Sequence, residues 1–259
     1  TSGEGIDLSD ISLTGAQEQL IRSVCATGKP VVVVLVVGKP FAIPYIKEKV
    51  PAILAQWYAG EQAGNSIADI LFGKVNPSGK LPFSFPQSTG HLPAYYNYLP
   101  TDKGYYKEPG TYTSPGRDYV FSSPAPLWTF GHGLSYTSYE YSNFKVNRTT
   151  FNADDELIFE VDVKNVGERA GKETVLLYSS DLAASVSPDV IRLRYFEKVE
   201  LQPGETKKVV MKLKGSDLAF VGQDRKWRLE QGRFRMKCGS EILYIDCEKD
   251  KIWDTPNID

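Results

Sequence analysis

The hydrophobic period of this chain changes near its midpoint, and this change limits the fold more than any other feature of the sequence. Beyond residue 144, segments such as LIFEVDVKNVG and TKKVVMKLK alternate apolar and polar side chains. A period of two is typical of strands that bury one face and expose the other. About seven such segments, separated by turns such as QPGET, predict an immunoglobulin-like β-sandwich.

Before the change, helical and extended segments alternate. LTGAQEQLIRSVCATGKP predicts a helix with Thr14 as N-cap, Gln17 at the capping-box position and Gly28 at its end. The β-branched run at 31–37 predicts a parallel strand covered on both faces. A second strand in VPAILAQWYAG, flanked by helices over 43–49 and 66–72, continues the alternation. One face of the first helix carries its apolar side chains: Ala16, Leu20, Ile21, Val24 and Cys25.

Together the two patterns predict two domains. Residues 1–135 form an α/β region with a partial, mostly parallel sheet and flanking helices, and residues 136–259 form an all-β immunoglobulin-like sandwich. A chain of 259 residues is long enough for two domains of ordinary size.

The charge balance argues against two classes of partner. The chain has 30 basic and 32 acidic residues, with a formal net charge of -2. This well-mixed balance gives no indication of a partner such as nucleic acid or an anionic membrane. The most apolar stretch, VVVVLVVG, is too short to span a bilayer.

The three cysteines predict neither a zinc site nor a disulfide. They lie at Cys25, Cys238 and Cys247, without the C-x-x-C spacing of a zinc ligand pair. Cys238 and Cys247 flank a predicted hairpin turn at different heights, so a bond between them would need distorted geometry. Buried free thiols are the prediction.

Several polar residues could be mistaken for a metal or catalytic site. His91 and His132 are the two histidines, and neither has a carboxylate at ligand spacing, so no metal site is predicted. The glycines around His132 favour a packed turn. Glu61 is predicted to cap the helix at 66–72, and Asp69 to pair with a neighbouring strand or loop.

Two aromatic residues, Trp57 and Tyr58, end the second predicted strand. Ligands of open α/β sheets usually sit at the carboxyl ends of the strands. These two side chains are therefore candidates for substrate binding, with core packing as the other interpretation.

Three stretches of the chain resemble the family 3 glycoside hydrolases. SGEG followed by Asp7 is similar to the loop that carries the family's general acid/base glutamate, here Glu4. GEQAGNSIADILFGKVNPSGKLPFSFP resembles a helix-and-turn segment of the family's α/β-sandwich domain. PLWTFGHGLSYTSYEYSNF resembles the junction between that domain and the family's fibronectin type III-like domain. The rest of the chain resembles the fibronectin type III-like domain itself. Leu8 and Thr14 depart from the arginine and the proline that the family often has there.

The resemblance implies the C-terminal part of a retaining, exo-acting β-glycosidase, a β-glucosidase or a β-xylosidase. Glu4 would be the general acid/base, and the nucleophilic aspartate would lie in a TIM-like barrel absent from this chain. The implied substrate is an oligosaccharide or β-glycoside with a terminal non-reducing β-linked sugar. No cofactor is implied, and this chain alone would be inactive. The implied location is secreted or periplasmic, with no signal peptide visible in this chain.

A second class of function stays open at this point. The sandwich and the content of 12% aromatic residues also fit a non-catalytic carbohydrate-binding or adhesion module. The α/β half fits such a module poorly, because binding modules seldom carry a partial parallel sheet. An upstream barrel would support the enzyme over the module.

Overall fold

The chain divides into two units. A computed structural model describes residues 5–99, 111–113 and 122–254. The first, called the α/β unit, consists of Thr1–Val75, Lys80–Tyr96 and Thr101–His132. The second, called the sandwich unit, consists of Asn76–Gly79, Asn97–Pro100 and Gly133–Asp259. The predicted α/β region and β-sandwich are therefore both present.

The α/β unit contains helices around a pair of parallel strands. Its elements in chain order are α1 (Gln17–Cys25), β1 (Val32–Leu35), α2 (Pro44–Lys49), β2 (Ala52–Ala55), α3 (Ala63–Leu71) and a 3-10 helix at Thr89–His91. Strands β1 and β2 are parallel, with Leu35 opposite Ala55. The core packs around one face of this pair: Val33, Leu35, Val37, Phe41, Ile43, Ile46, Val50, Phe85 and Leu127.

The prediction that β1 is covered on both faces is wrong for this chain. Val33 is 8% exposed, whereas Val32 is 51% and Val36 is 61% exposed. Burial therefore alternates along a run in which every residue is apolar. A β-branched run indicates a preference for extended structure. It cannot show whether this chain itself covers one face of the strand or both.

Both longer helices of the α/β unit begin at residues other than those predicted. The N-cap of α1 is Ala16, and Gln17 Nε2 instead donates to Thr14 Oγ1 at 3.1 Å. The N-cap of α3 is Gln62, so Glu61 lies outside the helix and the capping prediction is wrong. Asp69 pairs with Lys74 in the loop after α3, at 3.1 Å, as predicted.

The sandwich unit is built from two main antiparallel sheets. One has the order β3 (Tyr139–Val146), β5 (Glu156–Asn165) and β8 (Thr206–Lys214). The other has the order β4 (Thr150–Phe151), β12 (Glu241–Cys247), β11 (Gly232–Cys238), β6 (Gly171–Asp181) and β7 (Arg192–Leu201), in which only the short β4 runs parallel to its neighbour. A third, small sheet has the order β13 (Lys251–Trp253), β10 (Trp227–Leu229) and β9 (Phe220–Val221), and a 3-10 helix lies at Gly215–Leu218. The long strands correspond to the segments of period two.

The two main sheets enclose the core of the sandwich unit. Phe159, Leu177, Met211 and Phe234 are at most 1% exposed. Along β5 the burial alternates residue by residue, as the sequence pattern predicts. Burial of apolar area of this kind is the main favourable contribution to folding.

Cys238 and Cys247 are both buried and free, as predicted. In the β11–β12 hairpin, Cys238 is opposite Glu241 while Cys247 is opposite Gly232. The two thiols therefore lie at opposite ends of the hairpin. Burial raises the pKa of the Cys238 thiol to about 12, so it stays protonated at neutral pH.

The turn between β11 and β12 requires glycine for two reasons. Gly239 has φ +57, in the left-handed region that L side chains rarely adopt. A Cβ placed on Gly239 would also lie 2.6 Å from the ring of Tyr141. The turn is therefore fixed by a glycine that lies against an aromatic ring.

One residue from the first half of the sequence, Asn76, belongs to the sandwich unit. Asn76 Nδ2 donates to the Ala170 carbonyl oxygen at 3.0 Å. Its Oδ1 accepts from Ser135 Oγ at 2.9 Å and from the Tyr136 amide at 2.8 Å. Asn76 thus holds two separate segments of the unit together.

Candidate functional site

The candidate acid/base, Glu4, lies outside the described residues, and its role stays a prediction. The segment that follows it is described from Gly5 onward, and we call residues 5–11 the acid/base loop. Gly5 has φ +70, with no atom within 4 Å of the position a Cβ would take. Glycine is therefore needed at this bend for its backbone conformation.

The near end of the acid/base loop is held by Lys39. This residue follows β1, and its Nζ donates to the Ile6 carbonyl oxygen at 3.3 Å. Lys39 thus brings a positive charge to the loop two residues beyond Glu4. The contact links the loop to the carboxyl end of a sheet strand, where α/β proteins usually bind ligands.

The far end of the loop is anchored in the core. Ile11 is 5% exposed, and its carbonyl oxygen accepts from the Ala42 amide at 2.9 Å. Its own amide donates to Thr89 Oγ1 at 3.2 Å. Leu8, in the middle of the loop, packs against the α/β core.

Asp10 joins the loop to the same threonine. Its Oδ1 accepts from the Ser12 amide at 2.9 Å and from Thr89 Oγ1 at 3.2 Å. The backbone hydrogen bond from Ser12 is the main reason why the pKa of Asp10 is lowered, so the carboxylate is ionised at neutral pH. Asp7 is exposed at the surface of the loop.

Thr89 is supported in turn by His91. Both belong to the 3-10 helix at Thr89–His91, and His91 is 8% exposed. Its Nδ1 accepts from the Gln87 amide at 3.1 Å, which requires the neutral imidazole. Burial lowers the pKa of His91, and a hydrogen bond to the Pro124 backbone opposes this effect. The histidine therefore has a structural role.

Trp57 and Tyr58 follow β2 at the same edge of the sheet as Lys39. Trp57 has φ +60, a rare conformation for a large side chain, and its ring meets Phe83 edge-on with centroids 5.2 Å apart. Tyr58 is 64% exposed. The structure places Trp57 against the α/β core and leaves Tyr58 at the surface, so Tyr58 is the more accessible of the two for a ligand.

His132 lies in a packed turn. Its amide donates to the Thr129 carbonyl at 3.0 Å, and its carbonyl accepts from the Leu81 amide at 2.8 Å. Burial, followed by the charges of Lys47 and Lys80, lowers the pKa of its imidazole. Within residues 5–99, 111–113 and 122–254, no three His, Cys, Asp or Glu side chains form a group that could hold a metal ion.

Sequence reasoning missed Lys39, Asp10 and Thr89. Asp10 and Thr89 are 79 positions apart in the chain, and Lys39 and Ile6 are 33 apart. Lys39 could have been found because it lies two residues after the predicted strand at 31–37. Thr89 carries no such signal, since it lies in a loop of ordinary turn residues.

Comparison with known proteins agrees with this architecture. Residues 1–136 match the glycosyl hydrolase family 3 C-terminal domain, and residues 173–242 match a fibronectin type III-like domain. A β-xylosidase of Formosa agariphila is 39% identical over 93% of this chain and 32% of its own length. A periplasmic β-glucosidase of Salmonella typhimurium is 40% identical over 93% of this chain and 31% of its own length.

Solved structures give the same result. The β-glucosidase of Listeria innocua in complex with glucose matches with a TM-score of 0.87 at 35% identity, over 95% of this chain and 35% of that protein. A β-glucosidase of Erythrobacter marinus matches with a TM-score of 0.83 at 39% identity, over 93% of this chain and 31% of that protein. The chain thus spans about a third of the length of the proteins it matches. The match to the family's C-terminal domain covers more than half of this chain, and the chain therefore belongs to glycoside hydrolase family 3.

Proposed function

We propose that this chain is the C-terminal part of a retaining, exo-acting β-glycosidase that removes terminal non-reducing β-linked sugars. Glu4 is the general acid/base, and an upstream barrel domain supplies the nucleophilic aspartate. The observation that carries the proposal is the acid/base loop, which follows Glu4 and is held by Lys39 at the carboxyl edge of the sheet. The names of the relatives, β-glucosidase and β-xylosidase, support the reaction class.

The chemistry explains why the two carboxyl groups can come from different parts of a protein. Retaining hydrolysis places them about 5–5.5 Å apart on opposite sides of the scissile bond. One attacks the anomeric carbon, and the other protonates the leaving oxygen and later takes a proton from water. The acid needs a raised pKa, which burial against substrate and the nearby nucleophile would provide. The two carboxyl groups carry both steps without a cofactor.

The test compares leaving groups in a longer polypeptide that contains this chain and the proposed barrel. Glu4→Gln should slow turnover of aryl β-glycosides with poor leaving groups by about 10²–10⁴-fold, the usual contribution of general acid catalysis. Glycosides with a very good leaving group should form the glycosyl-enzyme at a nearly normal rate. Azide, which needs no general base, should accelerate the variant and give a glycosyl azide of retained configuration.

Two other carboxyl groups serve as matched controls in this test. Glu61→Gln and Asp7→Asn make the same chemical change at exposed positions, and both should leave the dependence on leaving group unaltered. If Glu4→Gln is equally slow on both substrate types and does not respond to azide, Glu4 is not the acid/base. Glu61 and then Asp7 would be the next candidates.

The finer parts of the proposal need separate measurements. The 259-residue chain alone should hydrolyse no aryl β-glycoside, because it contributes no nucleophile; activity of a rigorously purified sample would contradict this. The ratio of kcat/KM for aryl β-glucosides and β-xylosides in the longer polypeptide would identify the sugar, and a β-glucosidase is the expected result. A secreted or periplasmic location, supported by the name of the Salmonella relative, is tested by cell fractionation.

In the described residues, no helix is both long and apolar enough to cross a membrane.

A further inference from the structure

We infer that Thr89 is a positioning residue of the acid/base loop and sets how well Glu4 delivers its proton. The inference rests on the function proposed above for Glu4. It concerns a side chain that lies 85 positions further along the chain and belongs to a different segment of the α/β unit.

The Thr89 hydroxyl makes two hydrogen bonds to the loop. It accepts from the Ile11 amide at 3.2 Å and donates to Asp10 Oδ1 at 3.2 Å. One hydroxyl thus satisfies a backbone donor and a side-chain acceptor on consecutive residues. Since Asp10 Oδ1 also accepts from the Ser12 amide, the three groups fix the backbone through the end of the loop.

The threonine is itself held in place. It opens the 3-10 helix at Thr89–His91, and the His91 and Leu92 amides bond back to Ser88 and Thr89. The buried His91 ring accepts from the Gln87 amide on the preceding turn. A positioning group must be supported in this way, because a mobile hydroxyl would transmit no constraint to the loop.

The other end of the loop is tethered by Lys39 at the Ile6 carbonyl. Gly5, with φ +70, joins the tethered segment to Glu4. Under this inference, holding residues 6–11 in place limits the positions open to the acid/base. A misplacement of about 1 Å can reduce the rate of an enzyme by about 10²-fold, which sets the upper limit of the expected effect.

The experiment uses the longer polypeptide and a pair of substitutions that differ by one hydroxyl. Thr89→Val keeps the shape of the side chain but removes both hydrogen bonds, and Thr89→Ser keeps them. Thr89→Val should lower kcat for aryl β-glycosides with poor leaving groups by between about three-fold and about 10²-fold. It should spare substrates with a very good leaving group, and azide should restore part of the loss. Thr89→Ser should behave like the unsubstituted protein.

A loss of stability would give a different pattern. It would reduce the amount of active enzyme, and so lower the rates on both substrate types by the same factor. Thr27→Val is the matched control, because the Thr27 hydroxyl donates to the Val24 carbonyl at 2.7 Å, at the end of α1. Hydrogen exchange by mass spectrometry should show faster exchange of peptides covering Ile11 and Ser12 in Thr89→Val, and no such change in Thr27→Val.

Lys39→Met keeps the inference testable if Thr89→Val does not fold. It removes the tether at the near end of the loop and should give the same preference for good leaving groups. If Glu4→Gln shows that preference and a folded Thr89→Val does not, the inference is wrong while the proposed function stands. If Thr89→Val does not fold, the absence of the preference in Lys39→Met overturns the inference. If Glu4→Gln itself lacks the preference, the proposed function fails, and the inference fails with it.

Discussion

The sandwich unit encloses its core with its own strands, whereas the α/β unit covers only one face of its sheet. In the sandwich, Phe159 and Leu177 are completely buried between the two main sheets. In the α/β unit, α1 and α3 contain no buried residue, and Val32 on β1 is 51% exposed. Parallel sheets are almost always covered on both faces. We expect a longer polypeptide to supply the second layer, since the chain spans about a third of its relatives.

The largest effect should come from the enclosed core of the sandwich. Phe159→Ala should lower the free energy of unfolding by about 3–5 kcal/mol, because it removes a large apolar side chain and leaves a cavity. Phe196→Ala is the matched control: Phe196 is 68% exposed, and its loss should change stability by less than about 0.5 kcal/mol. Denaturant unfolding measures both, and equal effects would mean that the sandwich core is not enclosed as described.

The next effect concerns the β11–β12 turn. Gly239→Ala should destabilise the sandwich by about 1–3 kcal/mol, the usual effect of forcing extra atoms into a packed site, because its Cβ would meet the Tyr141 ring. Gly204→Ala isolates the backbone contribution: Gly204 has φ +76 with nothing within 4 Å of a Cβ. Its substitution should cost about 1 kcal/mol. A Gly239 variant no less stable than the Gly204 variant would contradict the contact with Tyr141.

The two faces of the extended run at 31–37, which contains β1, offer a direct test of the open sheet. Val33→Thr places a hydroxyl in the core and should cost about 1–3 kcal/mol, whereas Val36→Thr in this chain should change stability by less than about 0.5 kcal/mol. Thermal unfolding of the two variants gives the comparison. In the longer polypeptide, Val36→Thr should become destabilising. If it already is so in the chain alone, the outer face is covered and the contrast between the units fails.

The smallest effect is a difference in pH dependence. Burial lowers the pKa values of His91 and His132 below the ordinary value of 6.5, so the unfolded chain takes up protons first. The stability of the α/β unit should therefore be highest above about pH 6.5, fall as the pH drops from about 6.5 towards the two lowered values, and level off below them. The sandwich unit has no histidine. Its lowered carboxyl pKa values, such as those of Asp155 and Glu205, begin to cost stability only near and below their ordinary values of 3.8 and 4.5.

Hydrogen exchange by mass spectrometry between pH 7 and pH 5, corrected for the intrinsic exchange rate, would separate the two units. Peptides of the α/β unit should lose protection while those of the sandwich keep it. A double variant, His91→Gln with His132→Gln, should remove the difference. The same loss of protection in both units would show that the histidines are not its cause.

The sequence predicts the sandwich more completely than the α/β unit, for a physical reason. Alternation along β5 reports burial directly, because one face of each strand is covered by the facing sheet of the same unit. The run at 31–37 cannot do so, because all its residues are apolar whether or not a second layer is present. The predicted start of α1 was also wrong. Gln17 bonds to the Thr14 side chain, as the capping pattern suggests, but the helix begins after Ala16 and no capping box forms.

The candidate site residues stay predictions, and the sequence indicates only their place in the chain. Trp57 and Tyr58 follow β2, but the left-handed conformation of Trp57, whose ring packs against Phe83, leaves no trace in the sequence. The contact between Thr89 and the acid/base loop joins distant segments through a single hydroxyl. Such contacts depend on how loops are folded back, which periodicity does not encode.

The position of Asn76 has a consequence for recombination between related enzymes. The sandwich unit is not one continuous stretch, because it takes up Asn76–Gly79 from the middle of the α/β sequence. A crossover placed at residue 132 would take the sandwich from one parent and residue 76 from the other. The hydrogen bonds to Ala170, Ser135 and Tyr136 would then be kept only if both parents carry asparagine at position 76. Chimeras that exchange residue 76 together with the sandwich should fold more stably than those that exchange residues after 132 alone. The unit that can be exchanged is therefore defined by its hydrogen bonds and not by a continuous stretch of chain.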